Sequence, residues 1–202
     1  MAQPHPLIDR LEAQATAVAA TVARVTSLDE ALAYVTTLCA EKAPCQQLRA
    51  GGESLPAGSG EPHKIIAAPG LPEAAVTALR QRAAPLGITV ITDGLRRHLG
   101  GIDVAFTLAD AGLAATGTLV LRCADEELRL ATMIAETHVA LLPASGIAAD
   151  ADALEPTLAA WMSQPGYTAF ITGPSRTADI ERVTALGVHG PLELHILIRE
   201  DG

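Results

Sequence analysis

The chain has 202 residues, with 14 Lys and Arg against 23 Asp and Glu and a formal net charge of −9. Its few cations are scattered, which argues against nucleic-acid binding, where affinity needs clustered positive charge. Alanine supplies 39 of the apolar residues, and no run approaches the roughly 18 that a membrane span requires, so the reading is no nucleic acid and no membrane.

A single domain over 1–202 is expected, with a helical region over 1–45 and a β/α core over 63–198. Leu7, Ile8, Leu11, Val18, Val22 and Val25 recur at helical spacing, which predicts a first helix from Leu7 to Val25. Ser27-Leu28-Asp29-Glu30 matches a capping box, in which the Ser27 hydroxyl and Glu30 carboxylate each satisfy an orphan amide. The helix it opens runs through Leu32, Val35 and Leu38 and ends before Pro44. The two form an N-terminal helical hairpin set outside the rest of the fold. Residues 51–62, GGESLPAGSGEP, read as a loop.

Beyond it the chain alternates. His63–Ala68 reads as a strand, Pro72–Ala84 as a helix, Gly87–Thr92 and Thr116–Arg122 as strands, and Leu128–Ala135 as a helix. Thr137–Leu142 is extended, Asp152–Met162 helical, Tyr167–Thr172 extended, Ser175–Ala185 helical and Leu192–Ile198 extended. Strands separated by helix-length segments imply a mostly parallel sheet with helices on both faces. Only five residues are aromatic, so the core must be Leu, Val, Ile and Ala packed between regular elements.

In such sheets ligands bind outside the carboxyl ends of strands, so the turns after strands are where function is sought. In ITGPSRTADIERVTALGVHGP (Ile171–Pro191), Gly173-Pro174 breaks a strand and Ser175 opens the expected helix. Free amides and the dipole at a helix start favour an anion, and Arg176 with the Ser175 and Thr177 hydroxyls would add donors. The alternative is a plain helix cap with a solvated arginine. His189, in a glycine-flanked turn, is a candidate acid–base group or a structural turn histidine. The second stretch, LADAGLAATGTLVLRCADEELR (Leu108–Arg129), holds Thr116-Gly117-Thr118, where glycine admits a ligand or another backbone, or simply turns the chain.

No Walker, dinucleotide, zinc-protease or nucleophile-elbow pattern is present. Glu136 and His138 would share one face of a strand, as a surface pair or two ligands of a metal, and no metal or cofactor is assigned. Cys123 reads as a buried small residue. Cys39, Cys45 and Cys123 are odd in number without a C-x-x-C pair, which argues against a secreted disulfide framework. MAQPHPLIDRLEAQ lacks the build of a signal peptide, so a cytoplasmic location is expected.

ITGPSRTADIE followed by GVHGP resembles the closing signature of LUD-domain proteins, the family of lactate utilization protein C. ATGTLVL with Arg129, and THVALLP (Thr137–Pro143), resemble that family's middle block. The resemblance is close over about 100–198. It implies a three-layer α/β fold similar to the sugar-phosphate isomerase and CoA-transferase superfamily. It also implies a part in bacterial oxidation of L-lactate to pyruvate, beside iron–sulfur and redox-bearing proteins. Three scattered cysteines are short of the four thiolates a cluster normally takes, so the expected role is accessory and non-redox. Where the family usually carries Glu in an A-E-T-G block, this chain has Ala115, which puts catalysis in doubt. The expected ligand is a small anion held by Thr116, Gly117, Thr118, Gly173, Ser175, Arg176, Thr177 and His189. The alternative is an independent enzyme acting on a phosphorylated or CoA-linked small molecule.

Overall fold

The computed structural model describes residues 5–45, 64–98, 101–177, 185–186 and 190–200, with backbone alone at 176–177 and 185–186. Helix α1 (Pro6–Ala17) stops well short of Val25. The Ala20 N–H donates to Ala15 O at 3.0 Å and the Ala19 N–H to Thr16 O at 2.9 Å, while Ala19 takes φ 66°. This pair of bonds around a left-handed residue is a Schellman stop, made with alanine where glycine is usual. The chain then enters strand β1 (Thr21–Val25), followed by α2 (Leu28–Glu41). The N-terminal region is therefore helix–strand–helix, a correction to the expected hairpin. Val22 and Val25 fit helical spacing, but with three β-branched residues, Thr21, Val22 and Val25, the segment suits a sheet edge. Arg24 ties that edge back to α1 through Asp9 at 2.6 Å and Glu12 at 2.8 Å.

The Ser27 hydroxyl caps α2 by accepting from Glu30 N, 3.2 Å away. The reciprocal half of the expected box is shifted, since the Glu30 carboxylate accepts from Thr26 N at 2.7 Å and the Thr26 hydroxyl at 3.0 Å.

The remaining elements are β2 (Ile65–Ala67), α3 (Glu73–Ala83), β3 (Thr89–Ile91), β4 (Ile102–Leu108), β5 (Ala111–Leu113), β6 (Thr118–Cys123), α4 (Glu126–Ile134), β7 (Ala135–Pro143), β8 (Ile147–Ala148), α5 (Ala151–Met162), β9 (Tyr167–Ile171), β10 (Arg176–Thr177), β11 (Ala185–Leu186) and β12 (Glu193–Arg199). The loop expected over 51–62 lies outside the described residues.

Six strands form one sheet in the order β1-β12-β7-β4-β2-β3, every neighbouring pair parallel. Helices α2 and α3 cover one face, packing Leu32, Val35 and Leu79 on Val104, Phe106, Val139 and Leu197. On the other face, α4 packs Leu130 and Ala131 against Ala67 and Ala105. Beside it, α1 and a second sheet bury Leu11, Ala15, Leu119 and Leu121 against Leu142, Ile196 and Ile198. The second sheet runs β8-β5-β6-β9, with β5–β6 and β6–β9 antiparallel, and α5 covers its outer side through Leu154. The α/β fold with helices on both faces of a parallel sheet is as the alternation predicts; the second sheet is additional.

Strand β4 escaped the sequence reading. Both of its faces are buried, so it lacks alternation, and Asp103 interrupts its apolar run. Asp103 is itself buried, accepting the Cys45 and Ile65 N–H groups, each at 2.7 Å.

Candidate functional site

Both sequence-predicted turns rest on helix α1. Gly117 closes the β5–β6 turn with φ +65°, its N–H donating to Leu113 O at 3.0 Å. A Cβ there would lie 2.3 Å from Ala15 N. After β9, a Cβ on Gly173 would lie 2.3 Å from Val18 O. Ala15 and Val18 are one helical turn apart, so α1 is a common post for two segments distant in sequence. Close backbone approach explains both glycines, and the backbone they approach is the protein's own.

The turns are joined by hydroxyls. Buried Thr118 Oγ1 lies 2.7 Å from Thr116 Oγ1 and 2.8 Å from Thr172 Oγ1. Two bonds among three hydroxyls consume two protons, which leaves one donor at an exposed end, Thr116 or Thr172. The Ser175 N–H donates to Pro191 O at 2.9 Å, and a Cβ on Gly190 would lie 3.2 Å from Ser175 Cβ. The two halves of the closing motif thus meet.

Around this junction lies a cavity of about 460 Å³, lined by residues 170–175 together with Val18, Thr132, Gly190 and Pro191. Its place differs from the carboxyl-end crevice expected. Val18 precedes β1, Thr132 precedes β7 and Gly190-Pro191 precedes β12, so the cavity sits at the amino ends of three adjacent strands. The β9 turn reaches it from the second sheet, whose strands run by other rules than the parallel one.

The expected helix at Ser175 is a further correction. Arg176–Thr177 pair antiparallel with Ala185–Leu186 as β10–β11, and the Ser175 N–H is already held by Pro191 O, so the helix-dipole argument does not apply there. Residues 178–184 and His189 lie outside the described residues. Of the expected ligand residues, Gly173 and Ser175 line the cavity, and Thr116 and Thr118 join it only through Thr172; Gly117 faces α1. Among the described residues, none that lines the cavity is charged. Thr172 stood inside the quoted motif, whereas Val18, Thr132 and Phe170 carry no local sequence signal. Ala115 donates its N–H to Ala149 O at 2.9 Å, and its methyl places no carboxylate there.

A second polar group, unmarked by any motif, occupies the same edge beneath α2. The Tyr34 hydroxyl is 2.8 Å from His195 Nδ1, and His195 Nε2 is 3.4 Å from Glu193 Oε2. Burial lowers the His195 pKa against the opposing pull of Glu193, and burial raises that of Tyr34. Glu136 and His138 do share a face of β7, yet they serve different partners. Glu136 pairs with Lys42 at 3.2 Å, while His138 is fully buried, with Nε2 2.8 Å from the Thr107 hydroxyl and Nδ1 unpartnered. Burial pushes the His138 pKa down to about 4 and the Cys123 thiol up to about 11, so neither is charged at neutral pH.

The chain is similar to known proteins over its length. An uncharacterized protein of Neisseria meningitidis serogroup B is 37% identical over 97 residues, covering 48% of this chain and 42% of that one. Lactate utilization protein C of Bacillus subtilis is 31% identical over 103 residues, covering 49% of this chain and 43% of that protein. The matched stretch is therefore less than half the length of these relatives. The crystal structure of a DUF162 family protein from Deinococcus radiodurans shares the fold, with a TM-score of 0.60 at 16% identity over 96% of each chain. The LUD domain matches residues 8–198, almost the whole of the chain, and the chain belongs to the LUD domain family.

Proposed function

We propose that the chain is an accessory, non-redox subunit of a bacterial L-lactate utilization system and binds a small anionic ligand in the cavity at the amino ends of β1, β12 and β7. The observation that supports this reading is the junction of the motifs: Ile171–Ser175 and Gly190-Pro191 line one cavity, and Thr116 and Thr118 are tied to it through Thr172. The relatives named lactate utilization protein C support a place in that system, and iron–sulfur and redox-bearing proteins are the partners proposed for it. Ser175 Oγ offers a neutral donor, Thr172 Oγ1 offers a second when it accepts from Thr118, and Arg176, next in the chain, is the cation assigned to the anion.

The test has two parts. A strain lacking this gene should grow poorly on L-lactate and normally on pyruvate, and Ser175→Val should restore growth less well than the wild type. Calorimetric titration with lactate, pyruvate and inorganic phosphate should give binding that Arg176→Ala weakens roughly ten- to a hundredfold, the worth of a charged hydrogen bond. Normal growth of the deletion strain on lactate would refute the role.

A second reading, an independent enzyme acting on a phosphorylated or CoA-linked small molecule, draws support from the cavity. About 460 Å³ lies within the range that holds drug-sized ligands and is roomy for a three-carbon acid.

A further inference from the structure

Phe106 and Phe170 are the chain's two phenylalanines. Phe106 is wholly buried, as a phenyl ring in a small-residue core should be, whereas Phe170 is 52% exposed on the wall of the cavity. A protein with so few aromatics that leaves one uncovered in a concavity has a surface to be covered. Opposite in character are the hydroxyls. Ser175 Oγ makes no hydrogen bond among the described residues, and Thr172 Oγ1 ends the threonine chain. The cavity thus sets one exposed phenyl ring beside a hydroxyl-bearing turn, with no charge among its described lining residues.

From this we infer that the cavity takes a ligand with a planar aromatic ring, its face stacked on Phe170 and its polar arm reaching Thr172 and Ser175. This rests on the reading above that the cavity is the ligand site, and it names the class: a ring-bearing molecule such as a nucleoside or nucleotide. A bare carboxylic acid would leave the phenyl wall wet and much of the volume unfilled. Ring-on-phenyl stacking is sequence-cheap and chemically tolerant, since any flat heterocycle presents a face.

The experiment separates ring from anion by calorimetric titration of the full chain with adenosine, riboflavin, adenosine 5′-monophosphate and ribose 5-phosphate. At least one uncharged ring probe should bind, and adenosine 5′-monophosphate should bind more tightly than ribose 5-phosphate. Phe170→Ala should weaken the ring-bearing probes about five- to a hundredfold, the worth of one stacked ring, and leave ribose 5-phosphate unchanged. Phe170→Tyr should retain binding, which separates loss of the ring from loss of the fold; Phe170 is exposed, and the melting temperature of both variants should match the wild type. If ribose 5-phosphate binds as well as the nucleotide and Phe170→Ala changes nothing, the ring is refuted while the anion site stands. Silence from every ring probe overturns the inference, as does a Phe170→Ala variant altered only in its association with other proteins.

Discussion

Gly117 decides between two accounts of the Thr-Gly-Thr turn, and replacing it with alanine separates them. A Cβ at this position would sit 2.3 Å from Ala15 N, 2.6 Å from Ala15 Cα and 2.6 Å from Gln14 C. All three are backbone atoms of α1, so no side chain can rotate away. An L-residue in the left-handed region costs about 1–2 kcal/mol, and forcing extra volume into a packed contact adds typically about 1–3 kcal/mol. The sum is roughly 2–5 kcal/mol, to be set against a total stability of about 5–15 kcal/mol for a domain. At about 2–4 °C per kcal/mol for a chain of this size, thermal unfolding followed by circular dichroism should fall by roughly 4–20 °C. Gly70→Ala is the internal control, because Gly70 has φ +76° with nothing within 4 Å of its Cβ. It should lose only the conformational share, about 1–2 kcal/mol. Equal losses at Gly70 and Gly117 would refute the contact with α1. A Gly117→Ala protein of normal stability that no longer binds its ligand would return the glycine to a binding role.

Three further outcomes follow from buried or strained groups. His138 titrates near 4 when folded and near 6.5 when unfolded, so the unfolded chain binds the extra proton; its contribution is complete above about pH 6.5 and falls by about 3 kcal/mol towards pH 4. Urea unfolding of His138→Gln should show a correspondingly flatter dependence over that window, and parallel curves would dismiss the histidine as a source of acid lability. Ala19→Gly should raise stability by about 1 kcal/mol, since glycine takes the left-handed stop of α1 without a Cβ penalty; an unchanged melting temperature would count against it. Asp103→Asn puts an amide donor against one of two backbone N–H groups and should cost about 1–3 kcal/mol in denaturant titration, with no loss if the carboxylate is dispensable.

What the sequence determined by itself is the part of the protein governed by short-range rules. Helix α2 was legible because Ser27 and Glu30 act within four residues of each other, and β7 and β12 because their apolar runs are bounded by turns. The motif blocks also marked segments that do meet, Ser175 with Pro191 and Thr118 with Thr172. Tertiary structure decided everything that depends on partners far along the chain. β1 is a strand because β12, some 170 residues away, offers it an edge, and local valine spacing could not reveal that. β4 is a strand because both its faces are covered, which removes the alternation by which strands are read. Residue spacing likewise could not show that Gly117 and Gly173 turn towards one helix, or that Val18, Thr132 and Phe170 wall one cavity. Nor could it show that His138 lies inside. Those placements follow from burying apolar area among elements that meet only when the chain has folded, and local sequence carries no record of which elements those will be.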